Sequence, residues 1–146
     1  MLDAGCGTGR IARELHRRGL DVVGVDLDDL MLDTGRRKAP EMAWVTGDLE
    51  TVDLGRTFQA VLMAGNVMIF LTPGTESAVL ANMARHLDRA GLLVAGFQLQ
   101  PGRLTLEQFD SAAAGAGLAL HERIATWDRE PFVAGGGYAV SVMRSE

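Results

Sequence analysis

The chain has 146 residues, 47% of them hydrophobic and 23% charged, which is the scale of one soluble domain with a real core. Its formal charge of −5 disfavours a nucleic-acid surface, because phosphate binding leaves a basic patch, and here the basic residues are scattered in short groups such as Arg17-Arg18 and Arg36-Arg37-Lys38. No apolar run approaches the roughly 20 residues of a membrane span. The single cysteine, Cys6, excludes an internal disulfide and suggests a reducing compartment, so the expected location is the cytoplasm.

In chain order, short apolar runs alternate with longer amphipathic ones. The runs Met1–Ala4, Asp21–Val25, Met42–Val45, Phe58–Ala64 and Leu92–Phe97 lack a clear period of two, as expected of parallel strands covered on both faces. Between the first two, Ile11 and Leu15 mark a helix that Gly19 closes. Asp28 can cap a helix through Lys38, with Pro40 just beyond its end. Val79, Met83 and Leu87 form one stripe of a further helix, predicted to close at Gly91. Strand and helix alternating at this spacing predict an α/β sandwich with a parallel sheet.

The last third changes character. Thr105 and Gln108 form a capping box, with Leu104 and Phe109 as its hydrophobic staple, ahead of a helix from Leu106 to about Ala116. Two strands follow without a helix between them, Leu118–Trp127 and Tyr138–Met143, joined through Gly135-Gly136-Gly137. Alternation puts Leu118, Leu120, Glu122 and Ile124 on one face, and the pair is predicted to be antiparallel at the sheet edge.

The chemistry begins at the first turn, Gly5-Cys6-Gly7-Thr8-Gly9, between an apolar strand and a helix. Such a turn brings backbone amides and a helix N-terminus against a ligand, although it also suits a plain tight connection. A dinucleotide fingerprint would read G-x-G-x-x-G, and Arg10 stands where its third glycine belongs. No Gly-Lys-Ser/Thr follows either, which excludes a phosphate loop. The second strand ends in Asp26, whose carboxylate can accept from two ribose hydroxyls, the alternative being a helix cap. The third strand ends Thr46-Gly47-Asp48-Leu49, where Asp48 can accept from an exocyclic amine and Leu49 can cover a flat ring. Together the turn and the two acids describe an adenosine site.

With these residues in order, the sequence resembles the class I S-adenosylmethionine-dependent methyltransferase family. Leu2-Asp3-Ala4-Gly5-Cys6-Gly7-Thr8-Gly9 is similar to the family's first motif, Asp26 to its ribose acid, Asp48-Leu49 to its adenine-side pair and Phe58–Asn66 to its fourth-strand motif. Ala90-Gly91-Leu92-Leu93-Val94 is similar to its turn and fifth strand, with one glycine where two are common. The resemblance implies one domain over residues 1–146. Its fold would be a doubly wound, mostly parallel Rossmann-like sheet, with helices on both faces and an antiparallel strand pair at the C-terminal edge. It implies S-adenosyl-L-methionine as cofactor and S-adenosyl-L-homocysteine as product. The implied cofactor set is Asp3, Gly5, Cys6 and Gly7 in the first turn, then Asp26, Leu27 and Met31, then Asp48 and Leu49, then Ala64, Gly65 and Asn66.

The implied reaction is methyl transfer to a small-molecule O, N or C nucleophile. No metal and no catalytic residue is assigned, since His16, His86 and His121 all read as surface residues. Gln98, past the fifth strand, is better placed to touch a substrate. Asn66 is followed by Val67-Met68-Ile69-Phe70 and not by the Pro-Pro-aromatic run of nucleic-acid and protein amino-methylating members, which favours a small-molecule acceptor. Met1 falls at what reads as the middle of the central strand, so the family's usual N-terminal helical segment is expected to be missing. The competing readings are therefore a cofactor-binding module or truncated subunit without independent catalysis and, disfavoured by Arg10 and Asp48, a nicotinamide oxidoreductase. The oligomeric state stays open, a homodimer among the options.

Overall fold

A computed structural model describes all 146 residues. Five strands come first along the chain, β1 (Leu2–Ala4), β2 (Val23–Asp26), β3 (Ala43–Thr46), β4 (Phe58–Met63) and β5 (Leu87–Gln98), interleaved with α1 (Arg10–Arg17), α2 (Asp29–Lys38), α3 (Val67–Phe70) and α4 (Glu76–Arg85). The helix α5 (Leu106–Gly115) leads into β6 (Leu118–Ile124) and β7 (Tyr138–Ser145). The seven strands form one sheet in the order β3-β2-β1-β4-β5-β7-β6. All pairs from β3 to β5 are parallel, and β7 lies antiparallel to both β5 and β6. The doubly wound sheet with a reversed C-terminal pair is therefore present, with β7 threaded inside and β6 on the edge. No helix is long and apolar enough to cross a membrane.

Local signals account for the starts of α2 and α5. Asp28 caps α2, its Oδ1 accepting from the amides of Leu30 and Met31, and Arg36, Arg37 and Lys38 sit in the last turn, where the helix dipole favours cations. The Thr105–Gln108 capping box opens α5 as expected. Residues 47–57, between β3 and β4, contain neither helix nor strand.

The core lies mainly on one side of the sheet. Leu2, Val61, Met63, Leu93, Ala95 and Phe97 pack there against Leu80 and Met83 of α4 and Phe109 and Ala113 of α5. The rings of Phe97 and Phe109 meet at 5.5 Å and 57°, and burying each contributes about 1.5–3 kcal/mol. The opposite side carries α1 and α2, with a small cluster of Ala12, Val22, Ala39 and Met42 and the Trp44 ring against it.

Three sequence expectations are corrected. The helix containing Val79 and Met83 stops at Arg85, and Leu87 already pairs with Phe58 as part of β5. Gly91 lies inside that long strand, where a register shift and the left-handed Ala90 (φ 60°) interrupt the ladder; tertiary pairing overrides the helical stripe there. β6 ends at Ile124, short of Trp127. Its alternation also breaks, because the register slips between Leu120 and Glu122: Leu120 stands opposite Met143, whereas Glu122 stands opposite Val142, on the other face. Leu120 is left 48% exposed while Ile124 is buried.

Candidate functional site

In an open parallel sheet the crevice for a ligand lies beyond the carboxyl ends of the strands, where the winding reverses. Here that place is the junction of β1 with β2 and β4, and the first turn sits over it. Gly5, Gly7 and Gly9 all have left-handed φ (78°, 58° and 80°), which is why glycine occupies each. Their surroundings differ. A β-carbon on Gly5 would meet Val67 at 2.8 Å, and one on Gly9 would strike the Trp44 ring at 2.2 Å. Gly24 and Gly35 press the same ring, so Gly9 completes a slot for Trp44, whose indole N–H donates to the Ala39 carbonyl at 2.9 Å. Gly7 alone of the turn's three glycines is open, with only the Met31 sulfur at 3.9 Å.

The turn's amides are also largely committed. Those of Gly5 and Cys6 donate to the Val25 carbonyl at 2.8 and 2.9 Å, and that of Gly9 to the Cys6 carbonyl. The Gly7 amide donates to Asp26 Oδ2 at 2.8 Å. The half-buried turn thus satisfies the amides of Gly5, Cys6, Gly7 and Gly9 within the chain.

Asp28 takes the cap of α2, as the sequence suggests, yet Asp26 is not left free by that. One of its oxygens holds Gly7 and the other accepts from the Asp28 amide at 2.8 Å, so it joins the turns after β1 and β2. Each carboxylate oxygen keeps a further lone pair for a ligand hydroxyl. Asp48 uses Oδ1 to accept from the Glu50 amide at 2.8 Å, shaping the turn after β3. Asp3 is 3% exposed, and burial, with the Asp26 charge added, raises its carboxyl to about 7 against the opposing hydrogen bond from the Ala12 amide. Burial, with Asp3 and Asp26 nearby, pushes the Cys6 thiol up to about 12, away from the thiolate form.

A cleft of about 410 Å³ brings Gly5, Gly7, Asp26, Leu27, Met31, Asp48, Leu49 and Gly65 together. An adjoining cavity of about 260 Å³ is lined by Asp3, Cys6, Gly7, Met31, Ala64 and Gly65. Eleven of the twelve expected residues thus line one or the other. Asn66 lines neither: its Oδ1 accepts from the Gln98 amide at 2.8 Å, tying the end of β4 to that of β5. The cleft's far wall draws on the Met68-Ile69-Phe70 run, which the sequence reads as core more readily than as substrate wall; of these three only Phe70 lines it. It is built by Val67 and Phe70 of α3, by Leu71, Thr72 and Thr75, and by Val79 of α4. Phe70 is 73% exposed, as are Leu27 (70%) and Met31 (44%), which leaves three large apolar side chains around one opening. A broader, shallow groove of about 720 Å³ runs between α4 and α5, lined by small residues such as Ala78, Ala81 and Ala112, without convergent acids.

The histidines stand elsewhere. His16 pairs with Glu41 at the amino ends of the strands, and His121 is exposed on β6. His86 was expected at the surface and is 3% exposed, because both ring nitrogens find backbone partners inside. Gln98 is exposed, its side-chain oxygen accepting from Gln100.

The family described as "Methyltransferase domain" matches residues 1–91. A dTDP-3-amino-3,4,6-trideoxy-alpha-D-glucopyranose N,N-dimethyltransferase of Streptomyces venezuelae is 33% identical over 95 residues, 64% of this chain and 40% of that protein. The magnesium-protoporphyrin O-methyltransferase of Rhodobacter capsulatus is 32% identical over 99 residues, 58% of this chain and 44% of that protein. The match thus spans less than half the length of these curated relatives. Among solved structures, a TehB-like SAM-dependent methyltransferase from Corynebacterium glutamicum superposes with a TM-score of 0.94 at 39% identity, covering 99% of this chain and 79% of that one. SAM-bound CalS10, an amino pentose methyltransferase from Micromonospora echinaspora, gives 0.81 at 25% identity, covering 97% of this chain and 81% of that one.

Proposed function

The chain belongs to the class I S-adenosylmethionine-dependent methyltransferase family, and we propose that its cleft binds S-adenosyl-L-methionine for methyl transfer to a small-molecule nucleophile. The observation that carries this is the convergence, in one crevice, of an open Gly7 with two acids that retain spare acceptor capacity, Asp26 and Asp48. In this reading Asp26 accepts from the ribose hydroxyls and Asp48 from the adenine side. Leu27, Met31, Leu49 and Phe70 flank the flat base, and Asp3, Cys6, Ala64 and Gly65 line the cavity for the amino-acid end.

The cofactor supplies a methyl group already activated on a sulfonium. What the chain must contribute is binding, orientation and exclusion of water. The internally bonded turn and the apolar rim serve the last two. No histidine of the chain lines the cleft, which suits an acceptor that reacts without a strong protein base, such as an amine. A small acceptor also fits the net charge of −5 and the Asn66–Phe70 sequence. We propose that residues 1–146 act as one domain and work in the cytoplasm.

Calorimetric titration with S-adenosylmethionine and with a nicotinamide dinucleotide tests the reading. The first should bind and the second should not; the reverse would overturn it. Asp26→Ala should weaken the methyl donor by about 2 kcal/mol, close to thirtyfold, because it removes a charged acceptor and loosens Gly7 together. Unchanged affinity would remove Asp26 from the site.

A further inference from the structure

The segment after β3 carries Asp48, Leu49 and Glu50 into the cleft but has no regular structure of its own. Its internal bonds are short-range: the amides of Thr51 and Val52 donate to the Asp48 carbonyl, and that of Glu50 to the Asp48 side chain. These fix a local turn. They do not fix where that turn stands relative to the opposite wall.

The opposite wall includes the start of α4, at Thr75 and Val79, and the same helix reaches back. Asn82, 4% exposed, donates one amide hydrogen to the Leu49 carbonyl and the other to the Val52 carbonyl, both at 2.9 Å. Neither carbonyl receives a backbone amide. One turn on, His86 Nε2 accepts from the Leu54 amide at 3.2 Å, and Nδ1 lies 2.8 Å from the Asn82 carbonyl. Because Nε2 is an acceptor here, Nδ1 carries the proton and donates it to Asn82. The His86 carbonyl then accepts from the Phe58 amide at 2.8 Å, where β4 begins. An amide flip at Asn82 would set its oxygen against two carbonyls, so its orientation is determined.

Thr75, Val79, Asn82 and His86 stand at successive four-, three- and four-residue steps, one face of a helix. The first two line the cleft and the last two hold the loop that forms the cleft's other side. We infer that Asn82 and His86 are positioning residues, a buried polar latch that sets the separation of the two walls between which the adenine ring is proposed to lie. This rests on the donor-binding reading above. The latch touches no ligand. It acts through Leu49, Val52 and Leu54, and its cost in buried polar groups is offset only while every partner is in place.

The test is the dissociation constant for S-adenosylhomocysteine, measured by calorimetry on the whole chain at a temperature where each variant is fully folded by circular dichroism. Asn82→Ala and His86→Leu should each raise it about tenfold, the effect of releasing a wall held by buried hydrogen bonds. His86→Gln, which keeps an acceptor for Leu54, should recover most of that loss. A purely structural role would lower the unfolding midpoint and leave the constant of the folded variants unchanged; that result overturns the latch. Should Asn82→Ala not fold, the His86 pair decides alone, and equal affinity in His86→Leu and wild type overturns the proposal. A wild-type chain that binds no S-adenosylhomocysteine overturns the donor-binding reading itself, and the latch with it.

Discussion

The flank of the sheet built from β1, β2 and β3 and the flank built from β5, β7 and β6 organise their polar groups differently. On the first, acids at strand ends accept from nearby backbone amides: Asp28 from Leu30 and Met31, Asp48 from Glu50, Asp26 from Asp28 and across to Gly7. These bonds shape loops that line a cleft. On the second, the polar groups join elements to each other. Arg123 of β6 makes a two-pronged ion pair with Asp110 of α5 and also donates to Ser141 of β7, and the Trp127 indole donates to the Tyr138 hydroxyl at 2.9 Å over Gly96. One flank shapes the loops that line the cleft and the other closes the sheet. Damage to either should therefore read out differently in stability and in binding.

The sharpest way to break the first flank is Gly9→Ala. The added β-carbon would overlap the Trp44 ring and force a left-handed residue, costing about 3 kcal/mol. Urea denaturation measures it, and a loss below about 1 kcal/mol would show that Trp44 yields and the glycine slot is no constraint.

Asp3→Asn should act in the opposite direction. A carboxyl raised to about 7 by burial makes the native state hold its proton more tightly than the unfolded chain does. The resulting penalty is absent below the unfolded value near 3.8, grows as pH rises through that window and is complete above about 7. Native stability thus falls between about pH 4 and pH 7, by roughly 2–3 kcal/mol over the part above about pH 5, from this group. The variant should be more stable than wild type at the upper end, with that part of the slope gone; parallel stability profiles would refute a buried, proton-holding Asp3.

The smallest effect belongs to the second flank. Arg123 is 13% exposed at its side chain, and Asp110→Ala should cost about 1–2 kcal/mol by leaving it half-paired. Donor affinity should stay unchanged. A parallel loss of affinity would mean that the two flanks are coupled and the contrast between them does not hold.

The first flank was largely legible in the amino-acid sequence because its signals are local. A capping Asp28, a glycine turn after an apolar run and an acid at each strand end all act within a few residues, and the expected cofactor residues except Asn66 line the cleft or its neighbour. The α3 wall was less legible. Val67–Phe70 is an apolar run that reads as core, and Met68 and Ile69 are indeed buried while Phe70 faces out. One turn of helix is too short to declare which side faces the cleft. His86 misled for a related reason: a histidine on an amphipathic helix gives no sign that the Leu54 amide, 32 residues away, needs an acceptor.

Strand–helix alternation, the acids that close the strands and the antiparallel pairing of the last two strands followed from the residues alone, since each depends on periodicity or on the chain's short-range connections. The tertiary structure alone decided that Gly9 makes room for Trp44, that Asp26 joins two turns, that β6 slips its register at His121, and that Asn82 and His86 hold the loop facing their own helix. Each of these depends on groups far apart in the chain meeting in a water-poor interior. There an unmatched polar atom or a single extra carbon costs enough to choose one arrangement over another.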